Sequence, residues 1–81
     1  MEKKYKLISD DKITNSRGVT LYRIEALRDF SNIKKGDKGG YIENEQNLSH
    51  GGNAWVFDEA MLSENAWVFG NACVYRDARV H

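Results

Sequence analysis

The alternation of small, aliphatic and outward-facing positions is regular over residues 53–81. Divided into sixes, this region reads NAWVFD, EAMLSE, NAWVFG, NACVYR and DARVH. The second place is always alanine, the fourth is always aliphatic, and the first is always Asn, Asp or Glu. The alanine and the aliphatic residue of each hexad are two positions apart, which is the period of a β-strand. The Asp, Glu, Asn or Gly residues between successive hexads favour a corner of the backbone. The pattern therefore predicts one short strand and one corner in every hexad.

A helical interpretation of this region fails, because apolar residues at spacings of two and four never form one stripe with a period of 3.6 residues. If three hexads complete one coil, residues eighteen apart lie above each other at a spacing of about 4.8 Å. Val56 is then expected beside Val74, and Leu62 beside Val80. Each aliphatic residue would point inward, and its neighbours in the hexad would point outward.

The repeat resembles the hexapeptide-repeat family, in which an aliphatic residue is followed four places later by a small one. The matching pairs are Val56 and Ala60, Leu62 and Ala66, Val68 and Ala72, and Val74 and Ala78. The resemblance implies a left-handed parallel β-helix with three hexads per coil, covering roughly residues 41–81. Residues 39–43 (GGYIE) and 47–49 (NLS) also resemble the initial segment of small phage and prophage proteins with Asn-Ala-x-Val repeats.

The hexads before residue 53 are less regular. In the same frame, Ile42 and Leu48 fall on the alanine place, which predicts an irregular first coil. His50 falls on an aliphatic place, where we expect a hydrogen-bonded core or rim residue rather than a catalyst. Little more than two coils fit into residues 41–81.

The first part of the chain has the pattern of a β-hairpin. Residues 5–8 and 19–27 read as strands, the second of them rich in β-branched and aromatic residues. Residues 15–18 (NSRG) form a turn signal, so residues 12–14 and 19–24 are expected to form a hairpin. A helix over residues 21–29 is the alternative, because the sequence Glu-Ala-Leu-Arg favours it.

The fold class predicted for the whole chain is all-β. A loop is expected at residues 34–40, and it lacks the pattern of a phosphate-binding loop. An N-terminal hairpin or small sheet in residues 1–40 would cover a short left-handed parallel β-helix of about two coils in residues 41–81. Together they would form one structural domain.

Charge and cysteine content narrow the interpretation. Residues 1–40 contain ten basic and six acidic residues, and residues 41–81 contain two basic and six acidic ones. This split is consistent with ordinary solvated faces. The alternatives are that the basic half binds an acidic partner, or that two copies associate with opposite charges facing each other. Cys73 is the single cysteine, so no internal disulfide can form, and a reducing compartment, the cytoplasm, is expected.

Metal, secretion and membrane functions are not indicated. His50 and His81, the two histidines, have no neighbours at zinc-ligand spacing, so no metal or cofactor is predicted. Neither the apolar core of a signal peptide nor an apolar run long enough for a membrane span is found in the sequence.

Large aromatic residues occupy many of the outward places of the repeat. Trp55, Phe57, Cys73 and Tyr75 would share one face, with Trp67 and Phe69 on another. Two apolar faces exceed what one short N-terminal segment is expected to cover, although such covering is the alternative. Apolar patches of this kind mark interaction sites. The predicted protein interface consists of Trp55, Phe57, Trp67, Phe69, Tyr75 and Val80.

Small size also favours self-association. A chain of this length buries only ~60–65% of its unfolded surface, and oligomerisation is a common remedy. The final coil with Val80 would also need covering. We therefore expect a homo-oligomer, most simply a dimer. Nucleic acid is a less favoured partner, because only Arg76 and Arg79 interleave with the aromatic residues.

The sequence is best interpreted as a non-catalytic, self-associating protein-binding module. Its phage resemblance implies an accessory or counter-defence role directed at a host protein. A structural or polymer-forming subunit is one alternative. An acyltransferase-like enzyme is another, because many hexapeptide-repeat proteins transfer acyl groups with a histidine at a subunit boundary. Against it stand the small number of coils, the lack of an inserted loop and the two histidines, so no catalytic residue is predicted.

Overall fold

The computed structural model describes residues 3–75 together with the backbone of residues 79 and 80. This part of the chain is all-β, as predicted, and one turn of 3₁₀ helix, Glu45–Asn47, interrupts it. The strands are β1 (Tyr5–Thr14), β2 (Thr20–Ala26), β3 (Lys38–Ile42), β4 (Trp55–Val56), β5 (Met61–Leu62), β6 (Cys73–Val74) and β7 (Arg79–Val80).

Strands β1 and β2 form the predicted antiparallel hairpin. Thr14 lies opposite Thr20 at its closed end. The Asn15 side chain accepts hydrogen bonds from the backbone N–H groups of Arg17 and Val19, which holds the turn. Asn residues favour turns for this reason, since the side chain satisfies backbone donors that have no strand partner. The alternative of a helix over residues 21–29 is wrong.

The predicted loop at residues 34–40 is correct only in its first half. From Lys38 onward the chain forms β3, which pairs antiparallel with β2. Gly40 allows this strand to approach the repeat, because a Cβ atom there would lie 2.5 Å from the carbonyl oxygen of Ala60. It would also lie 2.6 Å from Cγ1 of Val56. The glycines that looked like a loop signal are therefore close-packing positions in a strand.

The hexads stack in parallel with the predicted separation of eighteen residues. Val56 pairs with Val74, and Leu62 pairs with Val80. The strand order is β1-β2-β3-β5-β7 in one sheet and β4-β6 in the other. Since β3, β5 and β7 are parallel to one another, the antiparallel hairpin continues one face of the stacked repeat as a larger sheet. The prediction of a domain boundary at residue 40 stays a prediction.

The first coil is two residues longer than the sequence frame predicts. Ile42 pairs with Leu62, and Leu48 forms a bridge with Val68, both at a separation of twenty residues. Ile42 and Leu48 therefore occupy the aliphatic place, and the prediction that they occupy the alanine place is wrong. The two additional residues lie between Leu48 and Val56. Consequently His50 is not at an aliphatic place either.

The corners of the repeat have one shared geometry. At each corner, the N–H of the alanine at the second place donates to the carbonyl of the residue three positions earlier. These bonds join Ala60 to Phe57, Ala66 to Ser63 and Ala72 to Phe69. The last residue of each hexad has a positive φ angle: 56° at Asp58, 58° at Glu64 and 64° at Gly70. The prediction that Asp, Glu, Asn or Gly residues form the corners is confirmed.

Two apolar layers share one continuous core. Inside the stack, the aliphatic places Ile42, Leu48, Val56 and Leu62 are fully buried. Outside it, Tyr5, Phe30 and Trp55 are buried between the N-terminal segment and the face of β4. Ser63 follows the inward Leu62, so the alternation predicts that it faces solvent, but it is also buried.

Candidate functional site

Two large aromatic side chains are exposed on the hexad at residues 65–70. The exposed fractions of Trp67 and Phe69 are 62% and 54%, and their rings stack with centroids 4.3 Å apart. Val68 between them points inward and is buried. Its backbone is fixed to the first coil: its N–H donates to the carbonyl of Asn47 at 2.8 Å, and its own carbonyl accepts from Ser49 at 2.9 Å. We call this pair of rings the Trp67–Phe69 platform.

A second aromatic pair bridges the two coils on the face of β4 and β6. Phe57 and Tyr75 stack almost parallel, with centroids 4.7 Å apart. Tyr75 is 57% exposed, and Phe57 is partly buried beneath it. The neighbouring Cys73 side chain raises the pKa of Tyr75. These contacts bring together Phe57, Cys73 and Tyr75 on one face, as the eighteen-residue spacing predicts.

Trp55 does not lie at a surface, and its inclusion in the predicted interface is wrong. Only 1% of this residue is exposed. Phe30 contacts it edge-on at 5.2 Å between centroids, and Tyr5 does so at 6.3 Å. The N-terminal segment therefore covers half of one aromatic face and leaves the Trp67–Phe69 platform open. The backbone of Val80 pairs with Leu62, but its side chain lies outside the described residues.

A buried lysine fastens the N-terminal segment to the additional residues of the first coil. Lys4 is fully buried, and its Nζ donates to the carbonyl of Ala54 at 2.6 Å. It also reaches the carbonyls of Gly51 and Gly52 at 3.5 Å. Burial, together with the nearby Arg28, lowers the pKa of Lys4 to about 8. This contact could not be predicted, because Lys4 lies among several lysines that resemble an ordinary solvated segment.

His50 is the hydrogen-bonded rim residue that the sequence predicts. The Tyr5 ring stacks on its imidazole at 4.1 Å, and the Tyr5 hydroxyl donates to the carbonyl of Leu48 at 2.6 Å. Burial raises the pKa of Tyr5. Nδ1 of His50 accepts the backbone N–H of Lys4 at 3.1 Å, and Nε2 lies 2.8 Å from Oε1 of Glu45. Both ring nitrogens are thus occupied by other groups of the chain.

The opposite charges of the two halves meet within the chain. Ion pairs join Lys3 to Glu45 at 3.2 Å, Arg17 to Glu64 at 2.8 Å and Arg23 to Glu59 at 3.2 Å. Each pair links a basic residue of residues 1–40 to an acidic residue of the repeat. Exposed pairs of this kind contribute only ~0–1 kcal/mol each. They nevertheless show that part of the charge asymmetry is compensated internally.

The described residues contain few other chemical features. No three His, Cys, Asp or Glu side chains among them are grouped closely enough to hold a metal ion. Across residues 3–75 and 79–80, we also find no helix of the length and apolarity that crossing a membrane requires.

Comparison with known proteins shows similarity to one acetyltransferase-like protein and no match to a family model. No protein-family model matches the chain. A protein of Escherichia coli (strain K12), described as "Uncharacterized acetyltransferase YdcK", is 30% identical to it over 66 residues. The match covers 73% of this chain and 20% of that protein, so the chain spans about a fifth of the length of this relative. The similarity agrees loosely with the hexapeptide-repeat resemblance, and the phage resemblance rests on the sequence alone.

Proposed function

We propose that this chain is a non-catalytic, self-associating protein-binding module built on a short left-handed parallel β-helix. The Trp67–Phe69 platform is the observation that carries the proposal, because two large rings remain exposed after the N-terminal segment has packed. The parallel pairing at eighteen residues supports the β-helix. Its left hand follows from the family resemblance.

The platform suits a protein partner for two physical reasons. Exposed apolar patches mark interaction sites, and tryptophan is a frequent anchor in them. Because Trp67 already stacks on Phe69, less side-chain freedom is lost when a partner covers both rings. The adjoining corner residues Asn65, Gly70 and Asn71 carry no positive charge that would favour a phosphate backbone.

A second copy of the chain is the proposed occupant of the platform. Two platforms could pack against each other about a twofold axis, which is the commonest arrangement of homodimers. Since part of the opposite charge of the two halves is already paired within one chain, the association would depend on apolar contact. It should therefore respond little to added salt, in contrast to an association of opposed charges. Phe57 and Tyr75 provide the other candidate surface.

The biological setting follows from weaker signals. The resemblance of residues 39–43 and 47–49 to small phage and prophage proteins supports an accessory or counter-defence role directed at a host protein. The single cysteine, Cys73, supports a cytoplasmic location.

Sedimentation velocity over a wide range of concentration tests the proposal. The wild-type protein is expected to form a larger species as concentration rises, in low and in high salt. The double variant Trp67→Ser, Phe69→Ser is expected to stay monomeric, with a lower melting temperature at high concentration, because association and folding are linked by mass action. Tyr75→Ser is the matched control on the other face and should associate like the wild type. A wild-type monomer at every concentration would contradict the proposal, and filaments would support a polymer-forming subunit instead.

The acetyltransferase relative supports a second candidate, acyl transfer. A catalytic histidine needs a ring nitrogen free to accept a proton from substrate. In His50 the two nitrogens face Lys4 and Glu45, and the Tyr5 ring covers one side of the imidazole. This arrangement disfavours His50 as a general base.

Release of free thiol from acetyl-coenzyme A separates the two functions. The binding-module proposal expects equal rates for the wild type and for His50→Gln. A rate that requires His50, in a variant that remains folded, would establish the enzyme instead.

A further inference from the structure

The hydrogen bonds of His50 require a neutral imidazole. Nδ1 accepts the backbone N–H of Lys4, so the ring proton is on Nε2, which donates to Glu45. With its single proton on Nε2, the ring can therefore make both hydrogen bonds, to Lys4 and to Glu45. A second proton on Nδ1 would point at the N–H of Lys4, and two donors would face each other. The hydrogen bond from the backbone of Lys4 to His50 would then be lost.

The charges around His50 are mostly positive. From the N-terminal segment, the ammonium of Lys4 lies at the carbonyls of Gly51 and Gly52, and Lys3 pairs with Glu45. From the segment after β2, Arg28 donates to the carbonyl of His50 at 3.4 Å. Glu45, on the 3₁₀ helix, is the one carboxylate that contacts the ring in the described part of the chain. An additional charge on His50 would therefore meet three cations and one anion.

The segment held by this bond covers Trp55. Tyr5 stacks on His50 and contacts the edge of Trp55, and Lys4 is bonded to Ala54 immediately before it. We propose that His50 is a pH-sensitive latch: protonation of its imidazole breaks the bond from Lys4, releases residues 3–5 from the first coil and exposes Trp55. The latch regulates the covered aromatic face and does not depend on the proposed self-association through the Trp67–Phe69 platform.

Imidazoles in general gain a proton within a window of about pH 5 to 8, so the latch is to be tested over that window. The hydrogen bond from His50 holds the pKa of Glu45 below its usual value, so Glu45 stays ionised through this window. The Tyr5 hydroxyl and the Lys4 ammonium keep their protons across most of it, because burial raises the pKa of Tyr5 and that of Lys4 is about 8.

Quenching of Trp55 fluorescence by acrylamide tests the latch. In a Trp67→Phe background, Trp55 is the single tryptophan. We expect the quenching constant to rise several-fold between pH 8 and about pH 5 while the far-ultraviolet circular dichroism stays native. The added variant His50→Gln is the matched control, because its amide can accept from Lys4 and donate to Glu45 but cannot titrate. It should show no change over the same range.

Three outcomes would overturn the latch. Trp55 could remain protected at pH 5 in the background that retains His50. The quenching constant could rise equally in His50→Gln, which would assign the effect to another group, such as His81, that both proteins contain. Circular dichroism and quenching could change together, which would mean that the whole protein unfolds.

Discussion

Leu48 lies beside Val68, twenty residues further along the chain, although three hexads account for only eighteen. The difference arises between Leu48 and Val56, in the segment that contains Gly51 and Gly52. Gly52 has a φ angle of 66°, and a Cβ atom on it would lie 2.5 Å from the carbonyl oxygen of Gly70. The additional residues thus form a wider corner that touches the corner of the next coil.

This contact predicts unequal costs for the same substitution at two glycines. Gly52 and Gly70 both have positive φ angles, so alanine at either position should cost about 1 kcal/mol of unfolding free energy in backbone strain. At Gly70 a Cβ atom would meet nothing within 4 Å, whereas at Gly52 it would meet backbone. Gly52→Ala should therefore cost at least ~1 kcal/mol more than Gly70→Ala. Denaturant unfolding measures both, and equal costs would mean that the two corners do not touch.

The inward alanines make a second matched pair. Ala60 is fully buried, whereas Ala72 occupies the same place of its hexad and is exposed. Ala60→Leu should overpack the core and lower the unfolding free energy by ~1–3 kcal/mol. Ala72→Leu should change it by no more than ~0.5 kcal/mol. If thermal or denaturant unfolding shows equal tolerance at both positions, the assigned packing of the stack is incorrect.

Lys4 predicts how stability depends on pH. Its pKa is lowered to about 8 in the folded protein, mainly by burial, whereas an unfolded lysine titrates near ~10.4. Between these values the unfolded chain binds more protons than the folded one, so stability should rise with pH, by on the order of 1 kcal/mol from pH 8 to about 9.5. Above ~10 the trend should reverse, because the raised pKa of Tyr5 keeps its phenol protonated only in the folded state.

Urea unfolding at several pH values measures this rise. Lys4→Met should remove it and also lower stability, since the carbonyl of Ala54 loses its donor. Lys6→Met, at an exposed position of β1 two residues after Lys4, should keep the wild-type rise. An unchanged rise in Lys4→Met would show that another group causes it.

The regular part of the fold could be predicted because its signals are local and repeated. Each hexad contains the alanine, the aliphatic residue and the corner residues in the same places. Five consecutive hexads with the same pattern cannot be explained by chance. The pairings of Val56 with Val74 and of Leu62 with Val80 follow directly. The hairpin could be predicted for the same reason, because the strand pattern and the Asn-Ser-Arg-Gly turn both indicate two antiparallel strands.

The failures concern contacts between distant segments. Gly51 and Gly52 fit the hexad frame in composition, so nothing in their identity reveals two additional residues. Trp55 and Trp67 occupy identical places in identical Asn-Ala-Trp-Val-Phe segments, yet one is buried and the other exposed. The difference depends on where Phe30 and Tyr5 pack, and a repeat pattern contains no information about its neighbours. The remaining predicted interface residues, Phe57, Trp67, Phe69, Tyr75 and Val80, stay predictions.

The two tryptophans provide the most direct test of self-association through the Trp67–Phe69 platform. Their indole N–H signals can be followed by nuclear magnetic resonance during dilution from millimolar to micromolar protein and assigned with the Trp67→Phe variant. We expect the Trp67 signal to move with concentration as a second copy covers its ring, while the signal of the buried Trp55 stays fixed. If the Trp67 signal is constant over the whole range, and the translational diffusion coefficient is that of a monomer, the platform is not a self-association surface.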